Sequence, residues 1–369
     1  MNKINTLNVN LIRNTIRKNN TKTTISQPTE IFSYCYDNNG NVYQAKLNKF
    51  KSVPINSNLI EGFEVSKVKF ETSSSLKCVL DTLIKNQFNS SKVNFVTYRN
   101  NLNKIFGSFM SNDKWEMDIE KIDETIYLGV ILDQEPPSSD NELHYKSIYA
   151  GYKFEDLSRQ IDSPYQYCSI SRTKLLKNEI ILASEIDCYK QKENLKDGVY
   201  NMDDYVELKT CKEIVDHKGA FVYKKFKLFK FWLQSYLAGV RKIVVAMHSD
   251  FVIKSVKELN TLEIPSLTKD IWKPDHCLLH GNEILEFIKT NTQPNHKYLL
   301  QFNHPDINLY QLSPEQPQNQ PSILTNEYLQ YLKDQTSNNV NNNDKKRKLE
   351  EDLVSNDNIK REKLTGQEH

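Results

Sequence analysis

The sequence contains few glycines, and no two of them lie close together. Ten glycines are spread over 369 residues, whereas the dinucleotide-binding fingerprint, the Walker A loop and the kinase loop each need two or more glycines within about six residues. The G-x-S-x-G turn that presents a nucleophilic serine is absent for the same reason. Glycine-rich phosphate loops are therefore excluded, and any phosphate chemistry must rely on side chains and ions.

Cysteine and long apolar runs are also scarce. The six cysteines show neither C-x-x-C spacing nor the density of a secreted disulfide framework, which indicates a reducing compartment. No run approaches the roughly 20 apolar residues that span a bilayer, so we expect no membrane partner. Basic and acidic residues nearly balance, at 49 and 47. A nucleic-acid site would therefore have to be a local basic patch.

Composition divides the chain into three parts. Residues 1–20 carry basic side chains and no acid, which predicts a basic, loosely ordered arm, with an organelle transit peptide as the alternative. Residues 21–332 lack repeats and long linkers and predict a single catalytic domain. Residues 333–369 are Asn-rich and predict a disordered tail. The four consecutive basic residues at 345–348 favour nuclear import, with a cytoplasmic location and a merely solvated charge run left open.

Strand and helix patterns alternate along the central part. Apolar runs and period-two alternation predict strands at 93–99, 180–188, 205–210 and 243–247, whereas helical spacing predicts helices at 141–160 and 221–237. This mixed order favours the α/β class, with a mixed β-sheet core flanked by helices.

Two of the predicted strands carry charged side chains among apolar ones. Residues two apart on a strand share a face, so Glu185 and Asp187 would point the same way, as would Glu207 and Lys209. The loop between the two strands is long for a hairpin but still favours antiparallel neighbours. A pair of carboxylates about 4 Å apart repels by on the order of 4 kcal/mol, so a cation is needed. Oxygen ligands suit Mg²⁺ or Mn²⁺, and we expect two ions.

The order of these charged residues narrows the fold. Asp187 followed by Glu207-x-Lys209 has the D…E-x-K form of restriction-endonuclease-like nucleases. The E-x-D at 185–187 or the E-x-K at 207–209 alone would be typical of an edge strand whose polar face is in water. Together they predict a metal-dependent nuclease platform, on which Lys209 would orient or deprotonate the attacking water or hold a phosphate oxygen.

Two predicted helices add candidates. Glu155 would supply a fourth carboxylate. In the helix at 221–237, Lys227, Lys230 and Gln234 form a polar stripe beside an apolar face that includes Phe226. The lysines would meet phosphates and Gln234 a scissile group. An ordinary amphipathic helix is the alternative.

Six blocks, in this order, resemble the DXO-type decapping nucleases, which act on RNA 5′ ends. They are FVTYR (95–99), GYKFE (151–155), CSISR (168–172), SEIDC (184–188), YVELKT (205–210) and KLFKFWLQS (227–235). The resemblance implies a hydrolase that depends on divalent metal and removes unmethylated caps, nicotinamide-type caps or terminal triphosphate in RNA quality control. In some members 5′ to 3′ exoribonuclease activity accompanies decapping.

The same blocks carry over residue roles by resemblance. The metal ligands would be Glu155, Glu185, Asp187 and Glu207, joined by the Leu208 carbonyl. Lys209 and Gln234 would contact the attacking water and the scissile phosphate. Arg99, Lys104 and Arg172 would hold RNA phosphates.

Two further hypotheses stay open. Fungal nuclear members of the family also bind and activate a nuclear 5′ to 3′ exoribonuclease, so the protein would be mainly a stabilising subunit of that enzyme. A DNA nuclease on the same metal platform is a third hypothesis. We expect Asp187→Ala and Glu207→Ala variants to fold normally, because each relieves carboxylate crowding.

Overall fold

The structure, a computed structural model, describes residues 1–18, 22–23, 25–68, 75–131, 141–190, 200–313 and 322–337. The strands are β1 (Asn2–Asn8), β2 (Thr29–Tyr36), β3 (Val42–Tyr43), β4 (Lys49–Phe50), β5 (Phe95–Tyr98), β6 (Trp115–Ile122), β7 (Thr125–Ile131), β8 (Arg159–Gln160), β9 (Gln166–Leu175), β10 (Asn178–Glu185), β11 (Cys188–Tyr189), β12 (Tyr205–Lys212), β13 (Lys242–Ser249), β14 (Val252–Asn260), β15 (His296–Asn303) and β16 (Asp306–Gln311). The helices are α1 (Val9–Lys18), α2 (Lys77–Lys85), α3 (Arg99–Gly107), α4 (Glu142–Ser158), α5 (His217–Val222), α6 (Leu228–Leu237), α7 (Ile264–Leu267), α8 (Pro274–Asn291) and α9 (326–337).

The strands form two mixed sheets. The larger has the order β1-β16-β15-β6-β7-β5-β10-β9-β2-β3, and the smaller has the order β14-β13-β12-β11-β4-β8. Strand β5 is parallel to β7 and β10, and β12 is parallel to β13, whereas most other pairs are antiparallel. The predicted α/β class with a mixed sheet core is confirmed.

Helices cover both sheets. One large apolar cluster joins α3, α6 and α8 to strands of both sheets. The opposite face of the larger sheet packs on α2 and α9, and the opposite face of the smaller sheet packs on α4. At Gly281 on α8, an added Cβ would lie 2.4 Å from the Phe106 ring of α3, so glycine permits this close helix contact. None of the helices within the described ranges is long and apolar enough to cross a membrane.

The prediction of a loosely ordered N-terminal arm is wrong. Strand β1 pairs with β16, and α1 buries Val9, Ile12 and Ile16. These three side chains repeat at helical spacing and gain enough buried surface to order the segment. At the other end, α9 continues to residue 337, past the predicted start of the tail at 333. The basic cluster at 345–348 lies outside the described residues.

The chain passes from one sheet to the other at the predicted strand 180–188. Strand β10 ends at Glu185 in the larger sheet, and β11 begins at Cys188 in the smaller one. Glu185 and Asp187 therefore do not lie on one continuous strand as predicted. The predicted antiparallel pairing holds only for the short β11, in which Cys188 faces Val206 of β12.

The predicted helix at 221–237 is part of a longer helical rod. A π-helical turn at Tyr223–Lys227 joins α5 to α6. Phe229, Leu233 and Leu237 are buried as expected, but Phe226 is exposed, which corrects its predicted place in the apolar face. The wider π turn shifts the angular position of residues that precede α6.

Candidate active site

Glu207 lies at the centre of the site. Its side chain, on β12, is only 1% exposed. One carboxylate oxygen accepts from Lys209 Nζ at 2.5 Å and from Gln234 Nε2 at 2.6 Å. The other accepts from Arg99 Nη1 at 3.0 Å. Burial would raise the pKa of Glu207, but Lys209 and Arg99 outweigh burial and lower it, so the carboxylate is charged.

Asp187 faces the edge of β12. The Leu208 N–H donates to its Oδ2 at 2.6 Å. Because the N–H and C=O of one strand residue point to the same edge, the Leu208 carbonyl also faces Asp187. Burial, followed by repulsion from Glu207, raises the pKa of Asp187 to about 6. Strand β12 thus places the Glu207 carboxylate, the Leu208 backbone and the Lys209 ammonium close to Asp187.

Glu185 ends β10 and meets β2. The Tyr36 hydroxyl donates to Glu185 Oε1. Glu185 keeps contact with solvent, yet desolvation, followed by repulsion from Asp187 and Glu207, raises the pKa of its carboxyl to about 7. Tyr36 therefore holds a carboxylate that its neighbours repel.

Glu155 approaches from α4. Burial, followed by repulsion from Asp187, raises its pKa to about 8, although Arg159 lies 3.9 Å away and opposes the shift. Asp156, the next residue, is exposed and pairs with Arg159 at 3.0 Å. Glu155 thus lies close enough to the site for the charge of Asp187 to act on it.

The four carboxylates carry oxygen atoms of the kind that a hard divalent cation prefers. Desolvation, followed by repulsion from neighbouring carboxylates, raises the pKa of Glu155, Glu185 and Asp187, whereas Lys209 and Arg99 lower the pKa of Glu207. Within the described ranges, however, no three His, Cys, Asp or Glu side chains converge closely enough to form a ready-made metal site. Glu207 is instead engaged by Arg99, Lys209 and Gln234. The set fits a cation in chemistry and charge.

The predicted RNA contacts are placed differently from one another. Arg99, at the start of α3, is buried and paired with Glu207. Arg172 on β9 is exposed and pairs with Glu179, roughly 13 Å along the strand from the register position of Glu185. Lys104 is partly buried on α3. Lys227 and Lys230 are exposed on the rod that carries Gln234. Of the predicted phosphate and RNA contacts that the structure describes, Arg99, Lys209 and Gln234 touch a carboxylate of the site, Glu207.

Sequence reasoning missed two features of the site. Tyr36 lies 149 residues before Glu185, and no pattern marked it as a partner. Arg99 was assigned to RNA by resemblance, whereas its nearest anion is Glu207, 108 residues later in the chain. The available signal was the burial of Glu207 itself. A buried carboxylate needs several cationic or donor partners, and Lys209 is the only cation beside it on the strand, so a further cation from elsewhere in the chain could have been expected.

Known proteins resemble this chain in sequence and in fold. A family model described as RAI1 like PD-(D/E)XK nuclease matches residues 26–329. Decapping nuclease RAI1 of Neurospora crassa is 29% identical over 310 residues, which cover 72% of this chain and 73% of the relative. Two solved structures share the fold. Scheffersomyces stipitis Rai1 in complex with (3′-NADP)+ and calcium ion has a TM-score of 0.72 at 21% identity, over 85% of this chain and 97% of that chain.

Candida albicans Rai1 in complex with pU5-Mn2+ has a TM-score of 0.70 at 22% identity, over 85% of this chain and 97% of that chain. The family model covers most of the chain, which confirms the predicted decapping nuclease family and the restriction-endonuclease-like platform. The chain therefore belongs to the RAI1-like PD-(D/E)XK nuclease family and is a hydrolase of the decapping nuclease type.

Proposed function

We propose that this nuclease depends on divalent metal, acts at RNA 5′ ends and removes unmethylated caps, nicotinamide-type caps or terminal triphosphate. The observation that carries the proposal is the D…E-x-K arrangement. Glu207 is buried beside Lys209, and Asp187 lies across the Leu208 backbone from it. A charged carboxylate at this depth is retained only with several cationic or donor partners.

We assign metal binding to the carboxylates and their orientation to neighbouring donors. Glu155, Glu185 and Asp187, with the Leu208 carbonyl and Glu207, would hold Mg²⁺ or Mn²⁺, and we propose two ions. When bound, such ions activate water and stabilise charge on a phosphate undergoing displacement. Tyr36 orients Glu185, and the Leu208 N–H orients Asp187. These contacts fix the donors before any substrate binds.

Lys209 and Gln234 reach the same point. Both donate to one oxygen of Glu207, so both tips lie where an attacking water and a scissile phosphate would meet the carboxylates. An ammonium and an amide N–H are donors, which suits them to hold phosphate and water oxygens. Arg99 compensates Glu207 from the buried side and keeps that carboxylate in place.

Relatives support the substrate class. The complex of Candida albicans Rai1 with pU5-Mn2+ supports RNA and manganese, and the complex of Scheffersomyces stipitis Rai1 with (3′-NADP)+ supports nicotinamide-type caps. We extend the proposal to 5′ to 3′ exoribonucleolytic degradation after decapping, because release of the 5′ group exposes a phosphodiester at the same carboxylates.

The test uses purified full-length protein with Mg²⁺ or Mn²⁺. Substrates are RNAs with triphosphate, unmethylated cap, nicotinamide cap or monophosphate ends, and single-stranded DNA of the same sequence. Wild type is expected to release a 5′ product from RNA, and EDTA is expected to abolish release. Failure of every RNA to yield a metal-dependent product would refute the proposal. Cleavage of DNA alone would favour the DNA nuclease.

Adjacent residues of α4 provide a matched control. Glu155→Gln is expected to reduce kcat at least 100-fold because it removes a proposed ligand. Asp156→Asn changes the neighbouring exposed carboxylate in the same way and should retain activity within about twofold. Equal losses in the two variants would show that the effect is structural.

We also propose a nuclear location and association with a nuclear 5′ to 3′ exoribonuclease. The basic residues at 345–348 and the family resemblance support this. Replacing those four residues by alanine in the full chain should shift a fluorescent fusion to the cytoplasm. Purification of inactive Asp187→Asn protein from nuclei should recover 5′ to 3′ exoribonuclease activity. An unshifted fusion would contradict the first part, and absence of that activity would contradict the second.

A further inference from the structure

The rod that carries Gln234 exposes two aromatic rings at its other end. Phe221 is 53% exposed and Phe226 is 42% exposed. None of the residues of α5 or of the π turn is buried. Clusters of large exposed apolar side chains on a soluble protein mark interaction surfaces. We call Phe221, Phe226 and the lysine between them, Lys225, the aromatic platform.

Lys225 links the two rings electrostatically. Its ammonium lies 5.8 Å from the Phe221 ring centroid and 5.0 Å from the Phe226 centroid. Both rings therefore flank one cation, within the range of cation–π attraction. The platform offers flat apolar faces and a positive charge side by side.

The rod itself carries basic side chains. Residues 217–237 contain no Asp or Glu but five basic residues, namely Lys218, Lys224, Lys225, Lys227 and Lys230, and Asp216 lies just before them as the N-cap of α5. The whole chain has a net charge of only +2. The platform thus lies in a local basic region of a nearly neutral protein, and such a region attracts a polyanion.

Trp272 packs against the helical rod that carries the platform. The Trp272 indole N–H donates to the Lys224 carbonyl at 3.2 Å, in the π turn itself. The Trp272 ring also packs against Phe229 and Trp232 of α6, at centroid distances of 5.2 and 5.1 Å. The exposure of the platform is therefore a property of a packed helix, and little ordering is needed before a ligand binds.

The platform and the catalytic site are joined by one helical rod. Gln234, on the same rod, contacts Glu207. Phe226 and Phe221 precede it by eight and thirteen residues, which places them about 12 Å and about 20 Å along the helix axis. Lys227 and Lys230 are exposed in the interval. A chain that leaves the carboxylates along this rod would meet lysines first and the rings next.

We propose that the aromatic platform binds single-stranded RNA downstream of the 5′ end, with bases stacked on Phe221 and Phe226 and phosphates held by the lysines. Stacking on aromatic side chains beside basic groups is a sequence-tolerant way of holding a single strand. The proposal rests on the RNA 5′-end function. It adds a second binding region, so that affinity depends on RNA length.

The experiment compares oligouridylates of 4 and 20 nucleotides with 5′-monophosphate and 3′-fluorescein. Binding is measured by fluorescence anisotropy in EDTA at fixed salt. The double variant F221A/F226A is expected to raise Kd for the 20-mer at least 10-fold and to reduce the ratio of 20-mer to 4-mer affinity. F221Y/F226Y keeps the rings and should keep that ratio. Val222→Ala, an exposed apolar change on the same turn, serves as the matched control.

The outcomes separate this inference from the proposed function. If F221A/F226A binds the 20-mer like wild type while wild type decaps RNA, the platform is refuted and the function stands. If wild type hydrolyses no RNA but the rings govern 20-mer affinity, the function fails and the platform stands. Unchanged RNA binding together with loss of self-association by F221A/F226A in sedimentation would assign the face to protein contact and overturn the inference.

Discussion

Two isosteric substitutions in the site are expected to change stability in opposite directions. In Glu207→Gln, a carboxylate that is 1% exposed loses its charge while Arg99 at 3.0 Å and Lys209 at 2.5 Å keep theirs. Removal of one partner from a buried ion pair typically destabilises by about 3–5 kcal/mol. Lys209 retains 21% exposure of its side chain, so we expect a loss of about 3 kcal/mol. These contacts argue against the expectation that Glu207→Ala folds normally by relieving carboxylate crowding.

Asp187→Asn should act the other way. The pKa of Asp187 is about 6, against an ordinary value of 3.8, so its ionisation costs the fold at most about 3 kcal/mol at pH 8. This penalty is complete above pH 6 and disappears as the pH falls to 3.8. Asparagine removes the charge and keeps an acceptor for the Leu208 N–H. We expect a gain of roughly 1–2 kcal/mol, since solvent contact reduces the penalty.

Urea unfolding at pH 8 in EDTA measures both changes. With millimolar Mn²⁺, wild type should gain stability through binding, and Asp187→Asn should gain much less, so the order of the two is expected to reverse. A loss above about 1 kcal/mol for Asp187→Asn in EDTA would refute the reasoning, because it would make Asp187 a structural residue. Equal changes in the two variants would refute it as well.

Three further predictions concern single residues. Tyr36→Phe should raise the Mn²⁺ concentration for half-maximal activity about 10-fold, because Glu185 loses its donor; a change under twofold contradicts this. Gly281→Ala should lower the free energy of unfolding by about 1–3 kcal/mol, because the added Cβ overpacks against Phe106. Gly151→Ala, with nothing within 4 Å of its added Cβ, should be neutral or stabilising by up to about 1 kcal/mol. Urea unfolding measures both variants. Burial lowers the pKa of His280 to about 3. Stability should therefore fall as pH drops from 6.5 towards 3, and His280→Gln should reduce the loss between pH 7.5 and 5.0 by about 2 kcal/mol; an unchanged slope would exclude this.

Local periodicity was sufficient for the strand and helices that carry much of the site. The pattern around Glu207 and Lys209 predicted β12, and helical spacing predicted the segment with Gln234. Both depend on contacts within a few residues. The same reasoning failed at Asp187, because alternation along a strand assumes that the strand continues, whereas the chain leaves one sheet there and enters the other.

Long-range partners were beyond such reasoning. Composition alone described the N-terminal segment as a basic arm, although Val9, Ile12 and Ile16 find an apolar surface that is built from the far end of the chain. The compensation of Glu207 by Arg99 likewise depends on how α3 packs. These contacts are set by tertiary structure, and no local pattern records them.

The passage of the chain between the sheets at Ile186 has a mechanical consequence. Glu185 belongs to the larger sheet and Glu207 to the smaller one, so the proposed ligands approach from opposite sides of a seam. A cation shared by them would act as a cross-link between the two sheets, beside the hydrogen bonds that Tyr205 of the smaller sheet makes with Tyr167 and Glu30 of the larger one. Sliding of one sheet against the other would change the spacing of the proposed ligands, so the packing of the two sheets would limit the metal affinity of the proposed site.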